Sequence, residues 1–140
     1  MTTHATGTFE VKLSPLTAHA AGDPTLGRMS IDKVIHGDLQ GTSQGEMLSA
    51  GAVSSGSAAY VAIERITGTL HGRTGSFAVY HVGVMNRGAG QLTITVVPDS
   101  GTGELVGITG TMAIRNVEGK HHYEVDYDLP GAAGAPPPAR

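Results

Sequence analysis

Two runs of alternating character, residues 60–71 and 76–87, flank the connection Gly72-Arg73-Thr74-Gly75, and this arrangement constrains the fold more than any other stretch of the chain. Strands point successive side chains to opposite faces, so a period of two on both sides of a glycine-framed connection reads as a β-hairpin. With His71 set opposite Ser76, Ile66 faces His81, Glu64 faces Gly83 and Thr69 faces Ala78. A second hairpin turns at Gly88-Ala89 into residues 91–97, with Met85 opposite Leu92 and His81 opposite Val96. A third turns at Glu118-Gly119, setting Ile114 opposite Tyr123 and Met112 opposite Val125.

The remaining segments extend the same pattern. Phe9, Val11 and Leu13 alternate with Thr8, Glu10 and Lys12 as far as Pro15, which reads as a half-buried strand. Residues 18–27 carry turn chemistry in Ala20-Ala-Gly-Asp-Pro24, and Leu16 and Leu26 are expected to tuck beneath the body. Residues 27–52 form a polar β stretch broken by Gly37-Asp38, Gly41 and Gly45, either a hairpin or one bent strand, since glycine marks both turns and bulges. Residues 98–110 are too broken for a long element, and a single helical turn is expected around residues 104–106. Past Leu129 the composition turns to Pro, Ala and Gly, which cannot bury apolar surface. The expected organisation is one domain over residues 1–129 and a flexible tail over 130–140.

The 140 residues, with 21 glycines and 7 prolines scattered among short β-branched runs, hold no helix long enough to cover a sheet face. An all-β sandwich or barrel is then the stable solution. A net charge of -3 with nine dispersed Lys and Arg residues leaves no basic footprint for nucleic acid. Cysteine is absent, which removes disulfides, thiolate chemistry and cysteine-bound zinc. The seven histidines do not form a metal pattern: His121 and His122 point to opposite faces of a strand, and His36, within reach of Asp32, sits with Lys33 and Asp38 at what reads as a solvated strand end. No metal and no cofactor are expected. No run approaches the roughly 18 apolar residues of a membrane span, and the start of the chain lacks a basic, then apolar, leader. A cytoplasmic protein with no membrane partner is expected.

Asp99-Ser-Gly-Thr-Gly-Glu-Leu-Val-Gly-Ile-Thr-Gly-Thr-Met112 resembles the glycine-rich pattern of allene oxide cyclases and dirigent proteins. Lys33-Val-Ile-His-Gly-Asp-Leu39, Tyr60-Val-Ala-Ile-Glu-Arg65, Gly75-Ser-Phe-Ala-Val-Tyr-His81 and Val97-Pro-Asp-Ser-Gly-Thr-Gly-Glu-Leu105 are similar to the bacterial domain-of-unknown-function 3224 family, grouped with those barrels. The resemblance spans about residues 6–129. It implies a single closed antiparallel barrel of about eight strands, allene-oxide-cyclase-barrel-like, and leaves the reaction open.

Within that barrel the first hairpin puts Tyr60, Ala62, Glu64 and Ile66 on one face with Phe77, Val79, His81, Gly83 and Met85. Glu64 and His81 become diagonal neighbours, Cβ atoms about 7 Å apart, an acid/base pair of candidate catalytic residues. A self-satisfied buried ion pair is the alternative. Tyr60, Phe77, Tyr123, Tyr127, Met85 and Met112 are the candidate ligand-binding residues, although Tyr123 and Tyr127 also read as ordinary core with hydroxyls at the rim. The opposite face carries Val61, Ile63, Tyr80, Val82 and Val84. The core could lie there, with the pair in water; if instead both faces are covered, the outer one predicts a homo-oligomer. The expectation is a barrel holding a small apolar organic ligand, acting as a cofactor-free cyclase or isomerase, or alternatively as a non-catalytic carrier or steering protein.

Overall fold

Three turns of one kind pin the second half of the molecule. At His71-Gly72, Arg87-Gly88 and Glu118-Gly119 both residues take positive φ, from 47° to 87°. This is the two-residue type I′ turn, whose twist matches that of the strands it joins. The computed structural model describes residues 2–130. They form β1 (Thr3–Leu16), β2 (Leu26–Gly37), β3 (Leu39–Ala52), β4 (Ser57–Leu70), β5 (Arg73–Asn86), β6 (Ala89–Val96), β7 (Thr102–Gly103), β8 (Thr109–Val117) and β9 (Lys120–Asp128). A single 3-10 turn, Val53–Ser55, lies between β3 and β4.

Eight of these strands close an antiparallel barrel in the order β1-β2-β3-β4-β5-β6-β8-β9, with β9 returning to β1 and β7 outside the ring on β5. Residues 27–52 are therefore a hairpin, β2 with β3, bent at Asp38. The seam between β6 and β8 is the shortest: only Ile94 with Met112 and Thr95 with Thr111 pair across it. At the other end of β5, β7 takes the neighbouring place through Gly75 with Gly103 and Ser76 with Thr102.

The register of the third hairpin is as the sequence predicts, Ile114 opposite Tyr123 and Met112 opposite Val125. The other two differ. Glu64 pairs with Val79 and His81 with Ala62 across β4 and β5, while Met85 meets Gly90 and His81 meets Ile94 across β5 and β6. The cause is the turn: each hairpin closes tightly on an X-Gly dipeptide, not on the looser four-residue connection or on Gly88-Ala89. Both slips are by an even number of residues, so every side chain keeps its predicted face.

The core fills one end of the barrel. Leu39, Leu70, Phe77, Leu105, Ile108, Tyr127 and Leu129 form a floor, with Ile35, Ile66, Val79, Ile94, Val96, Tyr123 and Val125 packed onto it. Leu105 and Ile108 come from the segment after β6. It contains no helical turn; Leu105 N–H reaches Thr102 O at 2.9 Å and Ile108 N–H reaches Leu105 O at 3.1 Å, two successive tight turns around β7. Leu16 and Leu26 do not tuck under the body. They are 37% and 42% exposed, because β1 and β2 run past the other end of the barrel. The predicted tail from residue 131 onward lies outside the described residues.

Candidate functional site

Glutamate enters the lumen at position 64 because β4 alternates: Ala62, Glu64 and Ile66 are buried while Val61, Ile63 and Arg65 are exposed. The neighbouring strand accommodates it with glycine. A Cβ on Gly45, which pairs with Glu64, would lie 2.6 Å from Glu64 Cα, so only a glycine lets β3 approach there. His81 reaches the same level from β5, and its Nε2 lies 2.6 Å from Glu64 Oε2.

Two further side chains complete the cluster. Lys33 on β2 donates from Nζ to Glu64 Oε2 at 2.8 Å and lies 4.7 Å from the centre of the Phe9 ring. Ser43 on β3 donates its hydroxyl to Glu64 Oε1. Burial pushes the Glu64 carboxyl upward, but the hydrogen bond from His81 and the charge and hydrogen bonds of Lys33 and Ser43 outweigh it and hold the group at about 2. Glu64 is thus an ionised acceptor. His81 Nε2 must carry the proton between them, leaving Nδ1 free to face the other way.

At 3.3 Å from Nδ1 lies the Tyr60 hydroxyl. The Tyr60 ring crosses Gly83, where a Cβ would lie 2.8 Å from Tyr60 Cδ1, so glycine at 83 is what lets the ring reach the imidazole. Desolvation, with the Glu64 charge behind it, raises the Tyr60 phenol above its ordinary value and keeps it protonated. The result is a continuous polar chain: Lys33 and Ser43 to Glu64, Glu64 to His81, His81 to Tyr60.

Tyr60 is also where that chain meets open space. A concavity of about 500 Å³ at the barrel mouth is lined by Met47, Tyr60, Gly83, Met85 and Leu92, with Val84, Gln91 and adjoining small residues at its edge, and its walls are almost wholly apolar. Met29 also faces inward at this end, opposite Met47; Met112 faces inward deeper down, between Ile94 and Val125, and packs against the core. The pair beneath is nearly closed off, Glu64 at 1% and His81 at 5% exposure.

The structure therefore brings Glu64, His81, Tyr60 and Met85 together, while Met112 packs against the core between Ile94 and Val125. It places the other candidates elsewhere. Phe77 is fully buried in the floor. The Tyr123 hydroxyl accepts from Leu39 N–H and lies 2.9 Å from both the His36 and Leu39 carbonyls. The Tyr127 hydroxyl meets His71 Nδ1 at 2.6 Å. These tyrosines brace the closed end.

Lys33, Ser43, Met29 and Met47 are the site residues that sequence reasoning missed. Lys33 does not sit at a solvated strand end; it is buried between Ile31 and Ile35, all three on the inner face of β2. The signal was present, since a lysine two residues from an isoleucine on each side shares their face. His36 pairs with Glu10 at 3.2 Å and not with Asp32. Among the described residues, no group of three His, Asp or Glu side chains converges as a metal site would require. No helix among them is long and apolar enough to cross a membrane.

A family model described as "Protein of unknown function (DUF3224)" matches residues 5–127. No curated protein matches the chain. Among solved structures, the crystal structure of a protein with unknown function from the DUF3224 family of Shewanella oneidensis MR-1 is 50% identical, with a TM-score of 0.87. The match covers 92% of this chain and 98% of that one.

Proposed function

This chain belongs to the DUF3224 family, and from its own mouth and buried polar chain we propose that it binds a small, largely apolar organic molecule and moves a proton on it without a cofactor. The observation that carries the reading is the Tyr60 hydroxyl, which ends the Glu64–His81 chain at the base of the apolar concavity. An apolar pocket with one convergent polar group is the ordinary form of a small-molecule site.

Each group has a defined part. Glu64, ionised and buried, orients the imidazole and fixes its tautomer. The Tyr60 oxygen takes a proton from a ligand carbon as its own proton passes to His81 Nδ1, forming an imidazolium beside Glu64 and a ligand carbanion. The imidazolium returns that proton through Tyr60 to another ligand position, so the chain is restored and the net change is a double-bond shift or, where the carbanion first adds within the ligand, a ring closure. Glu64 is thereby an orienting group, and Tyr60 replaces it as the group that touches the ligand. Met29, Met47 and Met85 suit a mouth of this kind because methionine adapts to irregular apolar shapes.

A second reading, a carrier that leaves its ligand unchanged, is favoured by the depth of the pair, since neither Glu64 nor His81 reaches the concavity except through Tyr60. Deuterium uptake from D2O into an apolar β,γ-unsaturated ketone separates the two. The proposal expects saturable uptake that falls by about 10²-fold or more in Tyr60→Phe while ketone binding persists. Binding without uptake supports the carrier, and uptake unchanged in Tyr60→Phe overturns the assigned proton path.

A further inference from the structure

The outer surface of the same strands carries a second message. In a barrel wall whose outward positions are otherwise largely polar, β3, β4 and β5 present a contiguous apolar grid. One row runs Leu48, Val61, Val82; the row on one side holds Ile63 opposite Tyr80, and that on the other holds Ala59 opposite Val84. Leu48, Val61, Ile63, Tyr80, Val82 and Val84 are each between 39% and 62% exposed. The grid begins where the segment after β6 stops covering the wall: Ala78, two residues before Tyr80, is shielded by that segment, with Val97 N–H on Ala78 O and Ala78 N–H on Ser100 Oγ.

We propose that this face packs against the same face of a second copy of the chain, forming a sheet-on-sheet dimer. The apolar surface exposed by these six side chains is roughly 500 Å², and with its polar rim it approaches the ~800 Å² per partner of a standard stable interface. A shallow depression of about 720 Å³ over this face supplies the relief that side chains of a facing sheet would fill.

Charge selects the occupant. The rim carries Arg28 and Glu46, already paired at 2.8 Å, and Arg65, held by Ser76 Oγ and the Ser100 carbonyl at 3.1 and 3.2 Å. Among the described residues, no charged side chain stands inside the grid. The whole chain carries -3, so a near-neutral patch is the part of its surface where two copies meet without like-charge repulsion. A membrane surface is the poorer match. An interfacial binder needs a basic rim, and a spanning barrel needs an apolar band all round, whereas β1, β2 and β9 here turn Glu10, Lys12, Asp32 and Asp126 outward. Strand addition is also disfavoured, because ring closure leaves β3, β4 and β5 paired on both sides.

The measurement is light scattering behind size exclusion on the wild-type chain at micromolar concentration, with Ile63→Lys and Val82→Lys as variants. Twice the chain mass for the wild type and single-chain mass for both variants, with unchanged circular dichroism, is expected. A wild-type monomer overturns the proposal, as does a dimer that persists in both variants. A wild-type monomer that cosediments with anionic phosphatidylserine vesicles would assign the face to a membrane. Ketone binding at the mouth is read on the same samples, so loss of the dimer and failure of the proposed site are distinguished.

Discussion

The two ends of the barrel are built from the same strands and filled in opposite ways. At the closed end Leu39, Leu70 and Phe77 are fully buried, and every exit is tied: Tyr123 to the β2–β3 turn, Tyr127 to His71, and the segment around β7 across the bottom. At the open end the inward positions hold methionine, leucine and glycine, and Met85 and Leu92 remain 43% and 42% exposed. The polar chain lies between them. This division separates what the fold needs from what a ligand needs: the floor supplies the packing, and the mouth is left with adaptable apolar surface that nothing among the described residues covers.

The largest effect should come from removing a floor residue. Phe77→Ala deletes a fully buried ring and is expected to cost about 3–5 kcal/mol of stability by chemical denaturation. An effect below about 1 kcal/mol would mean that the floor is not the stabilising end.

Acid should act next, through the layer between. The folded Glu64 carboxyl sits at about 2 against an ordinary value of 4.5. A group depressed in this way contributes stability that is fully present above pH 4.5 and is lost as the pH falls toward 2. Glu64→Gln removes that dependence and leaves Lys33 buried without its counter-charge, a loss of about 3 kcal/mol at pH 7. A variant with unchanged stability and an unchanged acid limb would separate the cluster from the fold. The smallest effect is expected at the mouth, where Met85→Ala, half-exposed in the free chain, should stay within about 0.5 kcal/mol of wild type.

Much of this was legible in the residues, for reasons that differ by region. Alternation alone gave which residues of β4 and β5 share a face, though not which face is inner, because a period of two survives any even error in register; Glu64 and His81 stay together whether Glu64 meets Gly83 or Val79. Register was legible only where the turn dipeptide was used. Glu118-Gly119 gave the third hairpin correctly, and His71-Gly72 and Arg87-Gly88 are the same chemistry, obscured by a second glycine at 75 and by Ala89. Histidine, arginine and glutamate at positive φ are unusual enough that the flanking glycine must be read as the marker.

Long-range contacts were harder. Lys33 and Ser43 join Glu64 from strands distant in sequence, and nothing local to position 64 names them. Phe77, Tyr123 and Tyr127 share the face of the polar chain, but the face does not say how far along the barrel a residue lies. Depth decides here between floor and mouth, and it depends on the stagger of all the strands together.

The central claim is that the mouth is an apolar ligand site distinct from the apolar outer face. Titration of the chain with Nile red, a neutral apolar dye, tests it against Met85→Arg at the mouth and Ile63→Lys on the outer face. One dye per chain is expected for wild type and Ile63→Lys, with affinity weakened by about tenfold or more, at least ~1.4 kcal/mol, in Met85→Arg. Dye binding that survives Met85→Arg and disappears in Ile63→Lys would contradict it.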